Sequence, residues 1–171
     1  MSVILVGYRG SGKTTVGRKL AQSLWLKFVD VDDLIVDAAK KTIRDIFEQD
    51  GESRFRDLET QAVTKALTLA DHIIAMGGGA ILRDENRRLI KDSKMKCIYL
   101  RCDPQVLLQR IQGDPLTAAN RPNLTGFAGG IDEIRTLLAQ REALYREVMT
   151  AELDVTHLGV DEAVTYVTRM M

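Results

Sequence analysis

The stretch Gly7-Tyr8-Arg9-Gly10-Ser11-Gly12-Lys13-Thr14-Thr15 has the spacing G-x-x-x-x-G-K-S/T, whose residue types are suited to holding phosphate. Side-chain-free positions let successive backbone N–H groups turn inward around phosphate oxygens, and a helix leaving the loop adds the partial positive charge of its N-terminus. On this reading Gly10, Ser11, Gly12 and Thr15 form the cradle, Lys13 reaches the β- and γ-phosphates, and Thr14 offers its hydroxyl to Mg²⁺. The flanks agree. Ser2-Val3-Ile4-Leu5-Val6 reads as a buried strand feeding the loop, and Val16, Leu20 and Leu24 recur at helical spacing after it. The chain is expected to bind a nucleoside triphosphate.

Further chemistry is expected where strands end. Lys27-Phe28-Val29-Asp30-Val31 reads as a second strand, and alternation along an extended Asp30-x-Asp32 points both carboxylates to one side. One acid could hold Mg²⁺ while the other holds or deprotonates an acceptor hydroxyl. Acids here could equally cap the next helix, with Asp32-Asp33 preceding a start at Leu34. A third strand, His72 to Met76, ends in Gly77-Gly78-Gly79, which reads as a close approach for a ligand or as a flexible turn. Arg54 and Arg56 fall on one predicted helix, and Arg141 and Arg146 on another. Such residues are usually solvated, but planar guanidinium groups also grip a carboxylate at two points. Arg121 lies in the longest irregular segment, where a cation could close over a transferring phosphoryl group. His72 and His157 belong to no motif. Trp25 and the phenylalanines are expected to be core or partly buried contacts, because they do not interleave with basic residues.

The elements that must position these groups alternate. A fourth strand spans Lys96 to Arg101 and a fifth Leu153 to Thr156. Helices are expected over Glu85–Lys91, Pro104–Gln112 and Ile131–Met149, with another from Val160. Strands alternating with helices imply a parallel sheet covered on both faces, with ligands outside the carboxyl ends of the strands. A chain of 171 residues suits one domain spanning 1–171. The 24 basic and 24 acidic side chains cancel, so neither nucleic acid nor an anionic membrane is expected as a partner. Cys97 and Cys102 match no redox or zinc spacing and read as reduced thiols, as in a cytoplasmic protein. No targeting segment or membrane span is evident. Without a coiled-coil repeat, a monomer is the default.

Taken in order, the phosphate loop, Phe28-Val29-Asp30-Val31-Asp32, Gly51-Glu52-x-x-Phe55-Arg56-x-x-Glu59, Gly77-Gly78-Gly79, Arg121-Pro122 and Arg141-Glu142-x-Leu144-Tyr145 resemble the shikimate kinase family over nearly the whole chain. The resemblance implies an α/β P-loop kinase of nucleoside monophosphate kinase-like architecture, with a five-stranded parallel sheet flanked by helices. It also implies a shikimate-binding region over about 32–60 and a lid over about 112–127. The implied reaction moves the γ-phosphoryl group of ATP to the 3-hydroxyl of shikimate, on the route to chorismate and aromatic amino acids. By motif position Thr14 and Asp30 would serve Mg²⁺, while Asp32, Arg56, Gly77, Gly78, Gly79 and Arg141 would hold shikimate. Lys13, Asp32 and Arg121 would be catalytic, and Arg110 would flank the adenine. The lid, with Asp114-Pro115-Leu116-Thr117-Ala118-Ala119-Asn120 ahead of Arg121, is closer to the family's second bacterial type. Two rivals exist. A kinase of the same fold could act on gluconate or a nucleoside monophosphate, although the triple glycine and Phe55-Arg56 argue against it. A nucleotide-dependent switch or binding module would be expected to show N-K-x-D and D-x-x-G, and the chain has neither.

Overall fold

A computed structural model describes residues 1–114 and 130–171. Arg121 and nearly all of the lid expected over 112–127 lie outside the described residues. Five parallel strands form one sheet, as the sequence predicts, and their order is β2-β3-β1-β4-β5. They are β1 (Val3–Val6), β2 (Lys27–Asp30), β3 (His72–Ala75), β4 (Lys96–Arg101) and β5 (Ala151–Asp154). Side-chain alternation divides the core between the two faces. Ile4 and Val6 of β1 join Cys97 and Tyr99 of β4 on one side, while Val3 and Leu5 join Ile98 and Leu100 on the other. Because β1 is central and fully buried, the loop leaving it opens in the middle of the sheet's carboxyl edge.

The helices cover both faces. On the face of Ile4 lie α2 (Val31–Ala39), the short α3 (Ile43–Asp45), α4 (Gly51–Leu67) and α5 (Asp84–Asp92), with a π turn over Ile46–Asp50 joining α3 to α4. On the face of Val3 lie α1 (Lys13–Ser23), α6 (Pro104–Gln112) and α8 (Val160–Met170). The long α7 (Ile131–Val148) serves both, with Ile134 and Leu137 on one side and Tyr145 and Val148 on the other. Among the described residues no helix is long and apolar enough to cross a membrane. Cys97 and Cys102 are free thiols, both buried.

Three expectations are corrected. The second strand stops at Asp30 and α2 starts at Val31, so Asp30 and Asp32 do not alternate along one extended segment. Asp30 itself caps that helix, its carboxylate accepting from the Asp32 N–H at 3.1 Å, and Asp32-Asp33 already lie inside the first turn. Trp25 is neither core nor partly buried: it is 97 % exposed, on a turn residue at φ 57° that aims the ring outward after α1. The last strand begins at Ala151 rather than Leu153, because Thr150 N–H already donates to the Cys97 carbonyl at 2.7 Å and sets the register with β4.

Gly17 decides how closely α1 approaches the sheet. A Cβ there would stand 2.7 Å from Cε2 of the Phe28 ring and 3.3 Å from Leu5 Cδ1. Overpacking of this kind costs about 1–3 kcal/mol, against ~1 kcal/mol regained when alanine replaces a helical glycine. Gly17→Ala is therefore expected to lower the urea midpoint at unchanged slope, a net loss of about 1 kcal/mol. A raised midpoint would show that the ring yields freely.

Candidate active site

The loop from Gly7 to Thr15 joins β1 to α1 in the conformation its spacing predicts. Gly10 and Gly12 sit at φ 83° and 94°, a region unfavourable for residues with a Cβ, and these reversals curl the backbone around a concave space. Lys13 Nζ donates to the carbonyls of Gly7 at 2.8 Å and Tyr8 at 2.9 Å, folding over the loop's inner edge. The Ser11 hydroxyl is buried and has no hydrogen-bond partner among the described residues. Gly10 through Thr15 line one large cleft, which continues past Arg110, Val155, Leu158 and Gly159. Arg110 is held there by donating to the Val155 carbonyl at 3.0 Å and to Cys102 Sγ at 3.6 Å.

At the mouth of this cleft Thr14 Oγ1 donates to Asp30 Oδ2 at 2.8 Å. A hydroxyl and a carboxylate side by side are hard oxygen donors of the sort Mg²⁺ accepts when phosphate and water complete its shell. These two residues therefore fit the ion. One Asp30 carboxylate oxygen caps α2, as the helix-capping reading expects, and the other accepts from Thr14.

A second cavity opens beside the first, and Arg9, Asp32 and Ile43 stand in the wall common to both. Its lining includes Arg56, Arg141 and the three glycines. The structure thus separates the paired arginines: Arg56 and Arg141 are each 7 % exposed, whereas Arg54 and Arg146 lie on the surface. Arg56 Nη1 donates to Glu59 at 2.7 Å and to the Gly79 carbonyl at 3.3 Å, and its other face reaches Glu52. Arg141 Nη1 approaches the Gly78 carbonyl at 3.5 Å, and its guanidinium lies over the Tyr8 ring, 5.7 Å from the centroid. Its Nε is buried without a partner among the described residues.

The glycines earn their place by what stands against them. A Cβ at Gly77 would come 2.8 Å from Asp32 Oδ1, one at Gly79 2.6 Å from Arg56 Nη1, and one at Gly78 3.3 Å from the Arg9 backbone nitrogen. The turn is therefore packed closely against Asp32, Arg56 and the Arg9 backbone, with no room for side chains at these positions.

Two residues that shape this cavity had no role assigned from sequence. Glu59, 1 % exposed, anchors Arg56; burial pushes its carboxyl up, with the Arg56 guanidinium opposing that shift. Tyr145, wholly buried and stacked on Tyr99, donates its hydroxyl to the Gly78 carbonyl at 2.6 Å, and burial raises its ionisation above the ordinary tyrosine range. The signal was present in the spacing. Glu59 follows Arg56 by three residues and Tyr145 follows Arg141 by four, which on a helix means the same face.

A nucleotide cleft at a phosphate loop, sharing a wall with a small cavity rich in arginine, defines an ATP-dependent kinase acting on a small anionic acceptor. The sequence profile of the shikimate kinase family matches residues 9–171. The chain is 42 % identical over 163 residues to shikimate kinase of Rhodopirellula baltica, covering 95 % of this chain and 86 % of that protein. It is 41 % identical over 155 residues to shikimate kinase 2 of Yersinia pestis, covering 91 % and 87 %. Among solved structures, shikimate kinase from Acinetobacter baumannii in complex with shikimate superposes with a TM-score of 0.90 at 33 % identity, covering 99 % of this chain and 91 % of that one. The chain belongs to the shikimate kinase family.

Proposed function

We propose that the chain transfers the γ-phosphoryl group of ATP to the 3-hydroxyl of shikimate, giving shikimate 3-phosphate and ADP. The observation that carries this is the meeting of two deeply buried guanidinium groups, Arg56 and Arg141, around a glycine turn beside Asp32. They suit one carboxylate, and Asp32 suits a hydroxyl presented to the adjoining nucleotide cleft. The N–H groups from Gly10 to Thr15 and the Lys13 ammonium hold the phosphates. Arg110 flanks the adenine, and Arg121 is assigned to the transferring group. Asp32 orients the attacking oxygen and takes up its proton, a limited demand because phosphoryl transfer depends mostly on positioning and charge stabilisation. Thr14 and Asp30 hold Mg²⁺, which when bound neutralises charge on the phosphates. The two buried thiols suit a reducing cytoplasm, and a monomer is the expected state.

The deciding experiment measures ADP release by the purified protein with Mg²⁺ and ATP, comparing shikimate, gluconate and nucleoside monophosphates at matched concentrations. Turnover with shikimate alone is expected. Turnover with another acceptor alone would keep the phosphate loop and reassign Arg56, Arg141 and Asp32. Thr14→Val keeps side-chain volume and removes the hydroxyl. It is expected to raise the Mg²⁺ concentration for half-maximal rate about tenfold or more, with the shikimate KM unchanged. An unaltered Mg²⁺ profile would take Thr14 out of the ion's shell.

A further inference from the structure

Glu133 sits in the first turn of α7, two helical turns ahead of Arg141 with Leu137 between them, and all three line the second cavity. It is only 7 % exposed. No hydrogen bond or ion pair to another described residue holds its carboxylate, whose oxygens, unlike Arg141 Nε, are not sealed off but keep contact with the cavity. A carboxylate facing a largely enclosed cavity is normally hydrogen-bonded. The helix N-terminus does not account for the burial, because neighbouring Asp132 supplies an acid to the same first turn from an exposed position.

Two of the three arginines lining the cavity have contacts elsewhere, and among the described residues no ion pair joins the third, Arg9, to Glu133. Arg56 is committed to Glu59 and Glu52, and Arg141 to the Gly78 carbonyl and the Tyr8 ring. What Glu133 lacks is a donor within the cavity, and a polyhydroxylated ring brings O–H donors with it. Position decides which hydroxyl. Asp32 lines both cavities and so stands at the point of transfer, whereas Glu133 lines the acceptor cavity and not the nucleotide cleft. Its negative charge also disfavours an acceptor bound in reverse, with its carboxylate away from Arg56 and Arg141.

We propose that Glu133 is a specificity-determining residue that accepts a hydrogen bond from an acceptor ring hydroxyl other than the one phosphorylated. The inference rests on the reading of the acceptor as shikimate. A site built to hydrogen-bond a hydroxyl discriminates strongly against an analogue lacking it, because its own polar group is then left unpaired.

The test compares the wild-type protein with Glu133→Gln, of nearly equal size, using shikimate and its 4-deoxy and 5-deoxy analogues. Loss of a hydrogen bond to a charged group is expected to raise the shikimate KM roughly ten- to hundredfold, with kcat and the ATP KM little changed. Direct titration of shikimate into each protein reads the same loss if turnover of the variant is weak. With the analogue lacking the hydroxyl that Glu133 reads, the two proteins should give equal KM values. An unchanged shikimate KM in Glu133→Gln would overturn the inference. So would a KM raised equally for shikimate and both analogues, the pattern of a merely structural role. Wild-type protein inert toward shikimate would instead refute the acceptor assignment, and this inference with it.

Discussion

Asp32→Asn is expected to lower kcat with shikimate by roughly 10²–10⁴-fold, the usual worth of a positioned proton acceptor, while nucleotide binding stays intact. The reason is placement. Asp32 lies in the first turn of α2, in the wall shared by the two clefts, and its Oδ1 is packed against Gly77. Asparagine preserves the shape and one acceptor oxygen but removes the charge that can take a proton from the attacking hydroxyl. Gly77→Ala attacks the same carboxylate from outside, since its Cβ would stand 2.8 Å from Oδ1 and 3.3 Å from Glu59 Oε1. A displacement near 1 Å can cost about 10²-fold, so the two variants should share a signature of low kcat with a near-normal ATP KM. Undiminished turnover in Asp32→Asn would remove Asp32 from the chemistry, whatever Gly77→Ala did.

What could be read without coordinates followed the range of the interaction. The phosphate loop is legible because nine consecutive residues create it and the strand and helix beside it are patterned locally. The five parallel strands follow from alternation of short apolar runs with helices. Asp30 and Asp32 are legible as acids after a strand, but their geometry is not, because a cap formed by Asp30 starts α2 at Val31, three residues ahead of Leu34. Among the arginines, spacing alone left Arg54 beside Arg56 and Arg146 beside Arg141. The choice between them is tertiary: Arg56 is buried by Glu59 and the Gly79 carbonyl, and Arg141 by Tyr8 and the Gly78 carbonyl. Glu59 is on Arg56's own helix, but Tyr8, Gly78 and Gly79 lie in two loops remote in sequence, and no local pattern joins them to the arginines. Glu133 is the extreme case, because an acid in the first turn of a helix reads as an ordinary favourable charge until its burial is seen.

The same reasoning makes Gly79→Ala the sharpest test of the carboxylate grip. Its added Cβ would stand 2.6 Å from Arg56 Nη1, 3.1 Å from Nη2 and 3.2 Å from Cζ, so the guanidinium must move. The backbone is under no comparable demand, because the obstructing atoms are the far end of one side chain. Arg56 cannot swing without consequence, however, since Nη1 is bonded to the buried Glu59 carboxylate at 2.7 Å. Displacing it either strains that pair or rotates the fork away from the cavity, and a two-point grip tolerates neither. The expected result is an acceptor KM raised about tenfold or more, an unchanged ATP KM, and a thermal midpoint close to wild type. Arg56→Lys should behave alike in KM, since an ammonium keeps the charge but loses the planar fork. It leaves the glycine turn untouched. If Gly79→Ala weakened acceptor binding while Arg56→Lys did not, the turn itself rather than the guanidinium would be what the acceptor touches. If neither moved the KM, the carboxylate would have to be held by Arg141 alone, whose buried Nε lacks a partner among the described residues.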